Sequence, residues 1–324
     1  MACIARFSHD RRVNVLVTGG AGFVGSRLAT ALASEGHRVV VADNLSATDG
    51  WHLLGPRVAA IVRVHADIRI AGDLDRLSVG RWDRVYHLAA SFANARSVAH
   101  PVVDETTNVM GTLNVLAHAR ARGCGLFVYA GSSSSYGDVE PPFREDGPLR
   151  PGTPYARTKL QGESLVRASG LDHAVLRLFN VYGPGDVPGP WRNAIPNMFA
   201  ALHAPEGRIT LFGEGATRDF TYVDDVVRAL LQADRAAGTT VNVATGIETS
   251  VREVATACLR VADAPQDRLF VGERRGWDRV VRRCADVARM RDLFNWTPET
   301  PLSDGLSTTF AWLRAGRWLD GAER

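Results

Sequence analysis

The chain has 324 residues, of which 45% are hydrophobic and 23% charged, with a net charge of +3 and a mean hydropathy of -0.08. At ~100–200 residues per domain this means two domains, or one large α/β unit with an added lobe, and such an average composition excludes a disordered, collagenous or coiled-coil chain. The near-balanced charge, with no long block of one sign, makes no case for nucleic acid, and no window approaches the ~18 consecutive apolar residues of a membrane span.

Residues 1–12 carry charges where a signal peptide needs an apolar stretch, and read as a loose tail. From residue 13 onward, β-branched runs at 13–17, 37–43, 59–67, 83–90, 125–131 and 173–180 alternate with helical patterns at 23–35, 101–121 and 154–169. Each run reads as a buried parallel strand. This βαβ rhythm predicts an α/β fold with a Rossmann-like, doubly wound parallel sheet. After Asn180 the Gly/Pro-rich VYGPGDVPGP breaks the alternation. The boundary therefore falls there, with a dinucleotide-binding domain over 13–180 and a smaller mixed α/β substrate domain over 181–324, from which 219–246 returns to the first. Helices are expected at 193–204, 223–236, 250–262, 286–294 and 304–315, and strands at 208–212 and 268–272. Cys3, Cys124, Cys258 and Cys284 lack paired ligand spacing, so neither a disulfide framework nor a metal site is expected. A reducing, cytoplasmic setting fits them best.

In a doubly wound sheet, ligands gather beyond the carboxyl ends of the strands. TGGAGFVGS at 18–26 lies there, running from the first strand into a helix. Gly19 makes the tight turn, Gly22 lets a diphosphate approach and Gly25 lets helix and sheet touch, while the helix amides of Phe23 and Val24 face the anion. Asp43 closes the second strand, where a carboxylate accepts ribose hydroxyls, and Asn44 and Ser46 follow it without an arginine. This favours NAD over NADP. Asp67 and Ile68 follow the third strand and either hold the adenine edge or, in the case of Asp67, cap the next helix. Leu88, Ala89 and Ala90 end the fourth run and complete the expected lining.

Tyr155 and Lys159 lie four apart behind Pro154, so both project from one helical face. Lowering a tyrosine from ~10 to ~7 takes about 4 kcal/mol of preferential phenolate stabilisation, which a nearby ammonium and a positive nicotinamide can supply. GSSSSYGD at 131–138 places hydroxyls at the same sheet edge. One of them can hydrogen-bond the reacting oxygen.

With these residues in hand, the sequence resembles the extended short-chain dehydrogenase/reductase family, and within it the nucleotide-sugar epimerases typified by UDP-galactose 4-epimerase. The resemblance runs from about residue 13 to 314 through TGGAGFVGS, VADNLS, HLAA, NVMGTLNVL, SSSSYG, YARTK, RLFNVYGPG, RDFTYVDDV, NVATG and NWTPETPLSDGL. It implies Ser132 and Tyr155 as the hydroxyl and the general base, and Lys159 on the nicotinamide ribose. It implies Asn108 as a support of the cofactor site, Ser133 and Asn180 on the substrate, and Arg218 as the cation on its diphosphate, with Arg275 a further candidate. The implied reaction is NAD-dependent inversion at carbon 4 of a nucleotide-linked sugar through a keto sugar. It also implies a homodimer through helices near 101–121 and 154–169. The competing readings are a nucleotide-sugar dehydratase or reductase of the same family and a catalytically inactive dinucleotide-binding scaffold.

Ser133 and Ser134 stand where dehydratases carry an Asp-Glu pair, so that element has no acid to move a proton at carbon 5 or 6. Ser135 replaces the usual valine, and Tyr136 after it is expected to meet the sugar. GEGATRDF is one residue short of the family spacing and RRGWDRVVRRCAD about one residue long. With Arg283 and Trp277 near the sugar, these changes point to an acidic or modified sugar; alternatively Arg283 pairs with Asp278 or Asp286.

Overall fold

A computed structural model of the protein describes residues 12–316 and 318, apart from 49, 55–60, 78–79, 205, 214, 274–275 and 277–279. The expected tail therefore lies almost entirely outside the described residues. Strands β1 (Asn14–Thr18), β2 (Arg38–Asp43), β3 (Ile61–His65), β4 (Arg84–His87), β5 (Leu126–Ser132) and β6 (His173–Leu178) lie in one sheet. Thr240–Val243 pairs with β6 as its seventh strand. The spatial order is Thr240–Val243, β6, β5, β4, β1, β2, β3, with every pairing parallel. The strand order reverses between β1 and β4, which opens a crevice at their carboxyl ends.

The strands alternate between two buried faces with the period of two that a pleated strand imposes. Val15, Val17, Val39, Val41, Val128 and Leu176 join one apolar cluster, and Leu16, Val40, Ala42, Phe127, Tyr129 and Val175 join the other. The outermost strand departs from expectation. In β3, Ile61 is buried but Val62 is 47% exposed, whereas the opposite edge strand, Thr240–Val243, is buried throughout.

Helix α1 (Phe23–Ser34) follows the glycine turn, α2 (Ala71–Asp75) and α3 (Asn94–Ala99) are short, and α6 (Pro154–Ala168) precedes β6. Pro154 opens α6 in the first turn, and the Thr153 hydroxyl accepts the Ala156 N–H as its cap. The helix expected over 101–121 is interrupted: α4 (Pro101–Asp104) and α5 (Gly111–Ala121) are joined by a π-helical stretch, Glu105–Met110. The expected 223–236 helix ends at Leu231 and continues as a 3-10 turn, Ala233–Ala236. Ile209–Phe212 and Leu269–Gly272 pair with each other, outside the large sheet. Val181–Tyr182 pairs with Thr221–Tyr222, and Thr217–Arg218 with Thr249–Ser250. The first of these pairs matches the strands expected at 208–212 and 268–272, whereas the two-residue pairs, like α2 and α3, are too short to leave a period in the sequence.

Tyr136 does not meet the sugar side. It is fully buried, its ring 4.8 Å from Phe143 and 6.1 Å from Phe179. Its hydroxyl donates to Asn242 Oδ1 at 2.7 Å and accepts from Arg177 Nη1 at 2.8 Å. A phenol so partnered in an aromatic cluster is a fixed part of the core, where it ties β6 to the seventh strand. Beside it, Ser135 is 0% exposed and its Oγ has no hydrogen-bond partner. Replacing it as Ser135→Ala removes that buried, unsatisfied hydroxyl and is expected to raise unfolding stability by about 1 kcal/mol in urea titrations.

Candidate active site

At the crevice, Gly19 has φ +71°, and a Cβ there would fall 2.6 Å from Ala89 N; one on Gly25 would fall 2.2 Å from Gly19 O. The turn therefore presses against both the β4 loop and its own helix. Helix α1 begins at Gly22 with no side-chain cap, which leaves its first amides for a ligand. Gly22, Phe23 and Val24 line a cleft of about 530 Å³ together with Asp43, Asn44, Ser46, Ile68, Leu88, Ala89 and Ala90. A dinucleotide with its diphosphate at the helix start fits this cradle.

Asp43 is tied to the turn it serves. Its Oδ2 accepts from Ala21 N at 3.0 Å and its Oδ1 from Leu45 N at 2.8 Å. Burial raises its pKa, and the two backbone donors oppose the rise. Asp67 lies just behind the cleft wall and does not cap α2, whose N-cap is Ile70. It accepts from Arg69 Nη2 at 2.6 Å and from Asn44 Nδ2 at 3.1 Å. Arg69 holds its carboxyl at about 2. Sequence reasoning missed Arg69, a cation that lines the same cleft and is held by Asp67.

Ser132, Ser133, Tyr155 and Lys159 line the other end of the same cleft. Ser132 Oγ accepts from Ser134 N at 3.2 Å, so its own proton can be donated to the Tyr155 oxygen, with which it is hydrogen-bonded. Burial raises the Tyr155 pKa, Ser132 lowers it, the charge of Asp104 raises it and that of Arg283 lowers it. Lys159 is only 4% exposed, and its Nζ sits 4.3 Å from the centre of the Tyr129 ring. Burial brings its pKa down to about 7, against the opposing charge of Glu163 one turn along. Arg283, on a separate segment, thus supplies part of the cationic influence on Tyr155 that the sequence reading assigned to the ammonium and the nicotinamide.

Asn108 stands behind this end of the cleft. Its Oδ1 accepts from Ser91 N at 2.8 Å, and its Nδ2 donates to Ser91 O and Thr158 Oγ1, both at 3.0 Å. It braces the β4 loop against α6, and lies in the π-helical stretch that interrupts the expected helix. Asn180 lines both this cleft and a second cavity of about 340 Å³. Arg218 lines that second cavity, where its Nη1 donates to Thr217 O at 2.7 Å. Arg275 and Trp277 lie outside the described residues, as does Asp278. Asp286 meets Arg144 at 3.5 Å, while Arg283 is directed into the cleft.

A comparison with known families matches residues 15–244 to the NAD dependent epimerase/dehydratase family. The chain belongs to that family. Its cofactor is NAD. It is 36% identical over 313 residues to a UDP-glucose 4-epimerase of Mycolicibacterium smegmatis, covering 93% of this chain and 99% of that one. A UDP-glucose 4-epimerase of Thermotoga maritima, solved with UDP-glucose, superposes at TM-score 0.87 with 30% identity, over 94% of this chain and 99% of that one. MoeE5, solved with NAD and either UDP-glucuronic acid or UDP-glucose, superposes at TM-score 0.82 with 32% and 31% identity, over 94% of this chain and 99% of that one.

Within this family site, Ser91, Arg96, Asp186 and Arg192 line the cleft without having been singled out as cofactor or substrate ligands, and Arg283, expected near the sugar, lines it with them. Ser91, Asp186 and Arg192 come from irregular backbone that gives the sequence no register, and Arg96 from α3, which is too short to leave a period. Asp186 is an acid brought in from outside the serine element, 3% exposed and accepting from Asn193 Nδ2 at 2.9 Å. Burial raises its pKa to about 7. A carboxyl raised above its unfolded value of ~3.9 binds more protons folded than unfolded, so its contribution to stability falls as pH climbs from about 4 to 7. Asp186→Asn is accordingly expected to gain about 2–3 kcal/mol of stability relative to the parent between pH 5 and pH 8, measured by urea unfolding at both pH values.

Proposed function

We propose that the protein is an NAD-dependent 4-epimerase of a UDP-linked sugar. The observation that carries this reading is the meeting of Tyr155 and Ser132 at one end of the dinucleotide cleft, which Asn180 joins to the cavity holding Arg218. NAD supplies a hydride acceptor that can return what it takes. Tyr155 removes the proton of the sugar hydroxyl and later returns it, and Ser132 donates to the same oxygen as its charge changes. Lys159 and Arg283 place positive charge where the phenolate forms. Arg218 and Asn180 hold the diphosphate, so the keto sugar can turn over about that anchor and present its opposite face. Ser133 and Ser134 put hydroxyls where an Asp-Glu pair would serve loss of water, and Asp186, an acid that lines the cleft from a different loop, is bound by Asn193, which favours inversion.

The unit carrying the cofactor is 13–180 with the returning 219–246, which contributes the seventh strand, and 181–324 otherwise forms the substrate unit. A homodimer through 101–121 and 154–169 is supported by exposed Val98, Val102, Met110 and Leu113 on or beside the first of these segments. Cys124, Cys258 and Cys284 are free, which supports a reducing cytoplasm. Arg283 beside Tyr155 supports a sugar with an acidic group near the reacting carbon, so UDP-glucuronate belongs with UDP-glucose and UDP-galactose in the assay.

Product NMR on these three sugars should show interconversion at carbon 4 with no net NADH. Tyr155→Phe should lower that turnover by about 100-fold or more while the protein keeps its NAD. Wild-type turnover by this variant would overturn the assignment.

A further inference from the structure

The loop between β6 and the helix Ala194–His203 carries Arg192, which lines both the dinucleotide cleft and the second cavity. Its guanidinium does not stay on its own side. Nη2 donates to the carbonyl of Ala47, in the loop after β2, and the guanidinium carbon lies 5.4 Å from the centre of the Phe92 ring, in the loop after β4. Ala47 and Phe92 both line the cleft. One side chain therefore reaches from the segment after β6 to the two loops that flank the crevice. The contacts are a hydrogen bond from a charged donor and a cation over an aromatic face.

The backbone on both sides of this bridge is held in uncommon conformations. Trp191, just before Arg192, has φ +64°, and Leu45, two residues before Ala47, has φ +59°. Left-handed backbone at non-glycine residues persists where surrounding contacts over-determine it. The bridge is one such contact. Asp186, in the same loop, feels the Arg192 charge, which opposes the rise in its pKa, and Gly185 beside it approaches the Phe23 ring, to 3.1 Å for an added Cβ. The loop is thus seated over the start of α1, where the cofactor's diphosphate belongs.

We propose that Arg192 is a strap across the dinucleotide cleft that retains NAD between turnovers. Release of the dinucleotide requires the Ala47 and Phe92 contacts to part, and the strap puts a positive charge over the diphosphate while they hold. The inference rests on the cofactor assignment and deepens the epimerase reading, since a catalyst that returns its hydride benefits from a nucleotide that does not leave.

The holoprotein, saturated with NAD and then moved into NAD-free buffer, gives the release rate from the nucleotide remaining after denaturation at successive times. Arg192→Ala should release NAD about 10- to 100-fold faster than the parent, and Arg192→Lys, which keeps the charge and part of the reach, should fall between them. Arg192→Met keeps the length without donors and separates the strap from simple packing; it should behave like Arg192→Ala. Unchanged release in Arg192→Ala, whether or not KM for the nucleotide sugar rises, would overturn the strap and assign Arg192 to the second cavity. A variant that fails to fold leaves the lysine and methionine variants to decide by the same release rate. Failure of the parent to convert any UDP sugar, with release still accelerated by the substitution, would overturn the epimerase reading and leave the strap standing.

Discussion

The contact on which the site depends is the approach of the glycine turn to the loop after β4. No side chain fits between Gly19 and the backbone of Ala89, or between Gly25 and Gly19 O, and Asp43 fixes the same turn by accepting from Ala21 N. That closeness brings three strand ends to one edge of the crevice. The uncapped start of α1, a carboxylate and the β4 loop then surround one cleft, which we propose as the seat of the dinucleotide. Widening the turn by one methyl group would move the β4 loop, and with it Ser91, Asn108 and the helix carrying Tyr155.

Behind the reacting groups lies a polar framework that is almost entirely buried. Asn108 holds Ser91 and Thr158, and Tyr129, under Lys159, donates to Lys159 O at 3.1 Å. Glu163, one turn beyond Lys159, takes Arg177 Nη2 at 2.7 Å and Arg177 Nε at 3.0 Å. Arg177 also donates to Tyr136, whose hydroxyl reaches Asn242 on the seventh strand. A buried ion pair of this kind adds little net stability over an apolar pair of the same shape, but it is costly to break. Its consequence here is positional: α6, β6 and a strand some sixty residues further on are locked in one arrangement under the Tyr155–Lys159 face.

The reading of the sequence succeeded where a local rule was strong. The strands appear because β-branched runs in a parallel sheet are buried on both faces, and the glycine turn and α6 appear because their spacings have one geometric meaning. It failed at Tyr136, placed toward the sugar by its neighbours in sequence and turned by Phe143, Phe179 and Arg177 into the core. At Asp67 it left helix cap and cleft open, and the structure gives α2 a different N-cap, Ile70, and pairs Asp67 with Arg69 and Asn44. Arg192 went unnoticed as a contact of the cofactor cleft because its partners, Ala47 and Phe92, lie 145 and about 100 positions away, and one is a backbone carbonyl that no residue type announces.

Chain chemistry by itself determined the α/β class, the glycine turn that leads into α1, and the placing of Tyr155 and Lys159 on one helix, because each rests on groups within one turn, one strand or one helix. Tertiary structure decided which cations act at the reacting end and which residues bridge the crevice. It also decided that Asp186, held by Asn193 and buried, has a pKa near neutrality at about 7. Such properties depend on distance and on the exclusion of water between segments remote in sequence, and both quantities come into being only when the sheet closes and the loops meet over it.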